Sequence, residues 1–245
     1  ISSSDLRSFH LTNYLIGNIS MVFTGNISLN EAINFTKIFV EDAPVGLKTS
    51  RPEVITSWPD PENIHSHISI GEYYGLNSDS APKQTRIRLI RIIPRSYRTN
   101  DMKMLATVVQ KILNQEIREG FESTYGVSAD SYIFSDHGRF HCETKITPAN
   151  LNEIMSKIKD VFYHLASDDK YEDIFQKARS RRIKNLPLLE WTAWSLAEEA
   201  VHDLVEEEHI ITVEEVEERI KKMTWSDIQN LVRNEFSWNQ IYVAI

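Results

Sequence analysis

The sequence predicts an α+β fold: an antiparallel-rich mixed sheet covered by helices on one face. Segments that alternate apolar and polar residues, the period-two mark of half-buried strands, fall in neighbouring pairs. Between them collect segments whose apolar residues recur every three or four positions, as on a helix packed along one side. A third observation sets the architecture: SDLRSFHLTNYLIGNISMVF, from Ser4, aligns without a gap on SDIQNLVRNEFSWNQIYVAI, from Ser226. Ser4/Ser226 and Asp5/Asp227 are identical, Leu6/Ile228, Phe9/Leu231 and Tyr14/Phe236 agree in type, and Ile19/Ile241 opens an apolar strand in each copy. The chain is therefore expected to span one repeat period. Residues 1–46 would close a preceding lobe as helix, strand and helix, 47–61 would be a linker, and 62–245 the next lobe. The 245 residues, 41% of them hydrophobic, suffice for one large core or two modest ones.

After the first copy, Ser28 to Val40 reads as a helix with Ala32, Phe35, Ile38 and Phe39 inward. Four prolines and no helical period between Asp42 and Pro61 mark the linker. IHSHISIG, from Ile64, alternates as a strand and puts His65 and His67 on one face. That spacing can chelate a metal, but without a third ligand nearby they read as solvent-side histidines. QTRIRLIRII, from Gln84, is a β-branched strand with Arg86 and Arg88 on one side, expected at a sheet edge or across a solvated surface, where the pair could line an acidic-peptide groove.

Met102, Leu105, Val109 and Ile112, with Val108 and Leu113 beside them, make the stripe of a helix buried on one side. Arg118 falls in its last turn, where a cation suits the helix dipole whatever its role. Tyr125, Val127, Ala129 and Ile133 form the inward set of the next strand, and Ser135 to Gly138 a turn. Phe140, Cys142, Thr144 and Ile146 are then inward, which makes Cys142 a core residue rather than a nucleophile. Pro148 suits the first turn of a helix whose inner face is Leu151, Ile154, Ile158, Val161, Phe162 and Leu165. The run Arg179, Arg181, Arg182 and Lys184 reads as a solvated helix face, and Trp191, Trp194, Ala197, Val201 and Leu204 as a core stripe. Thr212 with Glu215 makes a capping box, and Thr224 precedes the repeated helix.

Net charge −8 argues against a nucleic-acid partner, since phosphate binding needs a basic surface. One cysteine excludes an internal disulfide framework, and no apolar run approaches the roughly 20 residues of a membrane span. The chain opens without methionine, so a missing native N-terminus is expected and secretion is not excluded.

The stretch from Asn114 to Tyr132, NQEIREGFESTYGVSADSY, is the most specific in the chain. An Arg-Glu pair closes a helix, a loop follows, and Thr-Tyr-Gly-Val opens a strand. On these residues the chain resembles the pitrilysin/insulinase family of zinc metallopeptidases, in its second, non-zinc half. There an arginine and a tyrosine seven positions apart contact the substrate near the zinc, and Arg118 and Tyr125 have that spacing. Phe121, Glu122 and Ser123 stand where relatives usually carry glycines. Read without the resemblance, Arg118 is a solvated helix-end charge and Tyr125 a half-buried strand aromatic.

The resemblance implies a metallohydrolase-like (pitrilysin/processing-peptidase) lobe that binds peptide and closes the chamber of a zinc metalloendopeptidase, with Arg118 and Tyr125 contacting substrate. His-x-x-Glu-His does not occur, so no catalytic or metal residue is expected here, and the fragment should be inactive alone. The implied partners are a peptide substrate and a catalytic, zinc-binding half in the same chain or another subunit. A periplasmic or cell-envelope location is favoured if the source is bacterial. Two other readings stay open: a non-catalytic scaffold or processing-peptidase-like subunit, and a ligand-binding α+β domain with a pocket along Trp191 and Trp194.

Overall fold

A computed structural model describes residues 1–46, 85–94, 99–118, 126–134, 137–186, 192–206 and 209–245. The elements, in chain order, begin with α1 (Ser3–Asn13), α2 (Leu29–Val40), β1 (Thr85–Pro94) and α3 (Thr99–Arg118). They continue with β2 (Val127–Ile133), β3 (His137–Ile146), α4 (Leu151–Ser167), α5 (Glu172–Asn185) and α6 (Ala193–Glu206). The last are α7 (Val213–Lys222), α8 (Trp225–Glu235) and β4 (Tyr242–Ala244). Two compact units emerge, one of Ile1–Ile55 with Glu190–Ile211 and one of Thr56–Leu189 with Thr212–Ile245.

In the larger unit the strand order is β2-β3-β1-β4, and each described pairing is antiparallel. Period two decides the two faces. Ile87, Leu89, Ile93, Val127, Ile133, Phe140, Cys142 and Ile146 point into the core and are buried, as the alternation predicts. Helix α3 packs on β2 and β3 and also touches α4, α5 and α7. It is therefore more than a one-sided stripe: Met104, Ala106 and Ile117 are buried along with Met102, Leu105, Val109 and Ile112. At the opposite end of the core Phe140 stands edge-on to Phe236 and Phe162, with ring centres 5.1 and 6.4 Å apart.

Three expectations are corrected. Strand β1 is interior, paired to β3 on one side and β4 on the other, so of the two placements expected for Arg86 and Arg88 the sheet edge fails and the solvated surface holds. The basic run of α5 is not wholly solvated, because Arg179 Nη1 donates to the Met223 carbonyl at 2.6 Å and Arg182 Nη2 to Asn100 Oδ1 at 3.3 Å. The apolar stripes of α2 and α6 do not form a core: Phe35, Ile38, Phe39, Trp194 and Val201 are exposed. Their unit holds, among the described residues, three α-helices and no strand, too little structure to close over both sides of each helix. Trp191, His65 and His67 lie outside the described residues.

The repeat is visible in local geometry. Ser2 caps α1 in a reciprocal box with Asp5, and Thr224 caps α8 in the same way with Asp227. Tyr14 and Phe236 close the two helices, and a 3₁₀ turn follows each, Ile16–Asn18 and Trp238–Gln240. Surroundings differ: Ile228, Leu231 and Phe236 are buried where Leu6, Phe9 and Tyr14 are exposed.

Candidate functional site

Helix α3 ends at Arg118 and β2 begins at Val127, so the backbone fixes both ends of the segment between them. The Arg118 side chain and the whole of Tyr125 lie outside the described residues. One turn before Arg118, Asn114 presents its amide to the side of β2 away from β3, an edge among the described strands. Its Oδ1 accepts from the Val127 N–H at 2.8 Å and its Nδ2 donates to the Val127 carbonyl at 2.9 Å, as a neighbouring strand would. Asn114 Nδ2 also donates to the Gln110 carbonyl at 2.8 Å, which orients the amide. On the other side of β2, Thr144 Oγ1 donates to the Gly126 carbonyl at 3.1 Å. Gly126 has φ +91, and a Cβ there would stand 3.2 Å from Asn114 Oδ1. Only glycine turns the chain this way without strain.

The outward face of the sheet carries the charge. Glu143 on β3 lies between Arg86 and Arg88 of β1, with Arg86 Nε at 3.0 Å and Arg88 Nε at 2.9 Å from its two oxygens. Hydrogen bonds from Arg88, and then the charges of Arg88 and Arg86, hold the Glu143 carboxyl below its ordinary range against the opposing effect of burial. Farther along the same face, Tyr132 stacks on His141, ring centres 5.9 Å apart and planes 5° from parallel, and on Phe134 at 6.4 Å. The Arg139 guanidinium lies 5.3 Å from the Tyr132 ring centre and 5.4 Å from that of Phe134. Tyr132 donates its hydroxyl to Asp130 Oδ2 at 3.0 Å; that bond, followed by the Asp130 charge, raises the phenol's pKa.

Cys142 is 2% exposed on the inward face, and burial pushes its thiol up to about 12, which removes the thiolate a nucleophile needs. Among the described residues no group of three or more His, Cys, Asp or Glu is placed to hold a metal ion. Residues that sequence reading passed over are Asn114, Tyr132, Arg139 and Glu143. Asn114 left one signal, a short amide of poor helix propensity inside an otherwise well-formed helix. The other three gave only the alternation that puts them on the polar face.

The family described as "Peptidase M16 inactive domain" matches residues 1–182. Among solved structures, the chain is similar to the peptidase M16 inactive domain from Pseudomonas fluorescens, with TM-score 0.70, 13% identity, and coverage of 100% of this chain and 57% of that one. A protease from Helicobacter pylori gives 0.77, 12%, 100% and 59% on the same measures. A chain of complex III2 from Candida albicans, with Inz-5 bound, gives 0.66, 12%, 90% and 52%. The chain thus spans less than three fifths of the length of each of these. No curated protein matches it. With the family match covering well over half its length, and the α+β sheet and helices arranged as in these structures, the chain belongs to the peptidase M16 (pitrilysin) family as an inactive domain.

Proposed function

We propose that the chain is the peptide-handling, chamber-closing lobe in the non-zinc half of a zinc metalloendopeptidase. On this reading residues 62–245 are the inactive lobe and 1–46 the closing piece of the lobe before it. Zinc and the general base belong to a catalytic half, in the same chain or a partner subunit. Arg118 and Tyr125 donate hydrogen bonds to the scissile carbonyl or the backbone beside it. The observation that carries the reading is the Asn114 clasp, which ties the last turn of α3 to the first residue of β2. It fixes the described residues on either side of the Arg118–Tyr125 segment, the last turn of α3 and Val127, on rigid elements, as a substrate-positioning segment requires.

A donor aimed at a developing oxyanion contributes ~3 to 4 kcal/mol. Tyr125→Phe in the complete enzyme should therefore lower turnover about a hundredfold or more with zinc content unchanged. Unchanged turnover would remove the role.

The likeness to a chain of complex III2 supports a second reading, a non-catalytic scaffold or processing-peptidase-like subunit. That reading gives Arg118 and Tyr125 no part in turnover. Their replacement would then change assembly and leave peptide cleavage by any zinc partner as it was.

A further inference from the structure

The outward face of the sheet is basic in a chain of net charge −8. Its described strand residues include Arg86, Arg88, Arg139 and Lys145 against Asp130 and Glu143. Glu143 is engaged by Arg86 and Arg88, and Asp130 by the Tyr132 hydroxyl and the Ser131 N–H. Arg139 has no carboxylate among the described residues, and both its Nε and the Nδ1 of neighbouring His141 are buried without a hydrogen-bond partner. The guanidinium is nevertheless held in place, by the rings of Tyr132 and Phe134. A cation pre-oriented by aromatic faces, with no counter-ion among the described residues, is suited to take a carboxylate through paired hydrogen bonds.

We infer that the corner of the sheet formed by Arg139, Tyr132 and His141 is a subsite for a carboxylate of the bound peptide, an acidic side chain or the C-terminus, with Arg139 as the charge partner and the rings as its platform. The inference rests on the peptide-handling reading above and names a preference within it. Charge complementarity selects this occupant: a peptide bringing its own cation would meet a face whose carboxylates are already taken.

The experiment uses the complete enzyme and matched peptides that differ only by Glu against Gln, or by a free against an amidated C-terminus. Arg139→Met, which keeps the apolar stem on the rings, should raise KM about tenfold or more for the carboxylate member of one pair, leave the neutral member unchanged, and spare kcat. Whichever pair responds identifies the source of the carboxylate. Arg139→Lys, which keeps the charge but loses the planar fork, should restore part of the discrimination. Equal effects on charged and neutral members of both pairs, or none on either, would overturn the subsite. If Tyr125→Phe keeps full turnover while Arg139→Met still discriminates, the subsite stands and the positioning role of Tyr125 falls. The converse result rejects the subsite alone.

Discussion

Asn114 holds Val127 by both of its backbone polar groups, at 2.8 and 2.9 Å, so a helix side chain pairs with the first residue of β2 as a neighbouring strand would. Replacing Asn114 by Ala leaves the Val127 N–H and carbonyl without these partners, a cost of about 1 to 3 kcal/mol. Asn114→Asp should be no better, because a carboxylate cannot donate to the Val127 carbonyl and is pressed against it. Urea unfolding of the full-length protein measures both. If the clasp also positions the segment up to Tyr125, each variant should lose turnover beyond its loss of stability, measured well below the unfolding midpoint.

Gly126 offers a second test of the same junction. Its φ of +91 strains any L-residue, and the added Cβ would crowd Asn114 Oδ1. Gly126→Ala should therefore destabilise by about 1 to 3 kcal/mol. Combined with Asn114→Ala, which removes the crowded atom, the cost should be less than the sum of the two, as expected for contacting residues. Strict additivity would show that the strain at 126 is independent of the clasp.

The core was legible from the sequence wherever a period was clean. Val127, Ile133, Phe140, Cys142 and Ile146 are inward as the alternation requires, and Met102, Leu105, Val109 and Ile112 are buried as their spacing requires. Periodicity reports an apolar face and is silent on what covers it. For that reason Phe35, Ile38, Trp194 and Val201 read as core and are exposed. It also cannot place a strand within a sheet: the charges of Arg86 and Arg88 left an edge and a solvated surface both open, and their Glu143 partner lies on β3, across a register that no local pattern encodes. Much the same holds for the candidate site. The Arg118 and Tyr125 spacing could be read in the chain, but the Asn114 clasp joins two elements through side-chain geometry.

Glu143 links stability to acid. Its carboxyl titrates below the ordinary range in the folded protein, so its contribution is present above the unfolded value of about 4.3 and is lost as pH falls through the lower folded value. Arg86 and Arg88 are about half exposed, so screening keeps the contribution under about 1 kcal/mol. Glu143→Gln should lower the melting temperature slightly at pH 7 and match the native protein once the pH is below the lowered folded value. A gap that persists at low pH would mean that packing, not charge, is lost.

Cys142 acts in the opposite direction. Burial raises its thiol from an ordinary 9.0 to about 12, so the neutral form favoured by folding is fully retained below about pH 9 and its stabilisation is lost as pH rises toward 12. A thiol reagent at pH 8 should label Cys142 only at the rate of unfolding, and Cys142→Ala should flatten the alkaline fall in stability. Rapid labelling of the folded protein would contradict the burial.

Arg91 tests the inward face, where β1 carries a cation among Ile87, Leu89 and Ile93. Arg91 donates through Nε to the Glu235 carbonyl and through Nη1 to the Ile92 carbonyl, and its Nη2 lies 3.1 Å from Glu235 Oε2. Both side chains are largely buried, at 13% and 14% exposure, so the pair fastens the C-terminal turn of α8 onto β1. Arg91→Met removes the ion pair to Glu235 Oε2 and the hydrogen bonds on the Glu235 and Ile92 carbonyls, and should cost about 1 to 3 kcal/mol, with the end of α8 left uncapped. Arg91→Met with Glu235→Leu should recover part of that loss, because an apolar pair of similar volume escapes the desolvation penalty of buried charge. Thermal unfolding of the single and double variants decides the matter. A double variant as unstable as Arg91→Met would instead assign the stability to the hydrogen bonds on the Glu235 and Ile92 carbonyls, which no apolar side chain replaces.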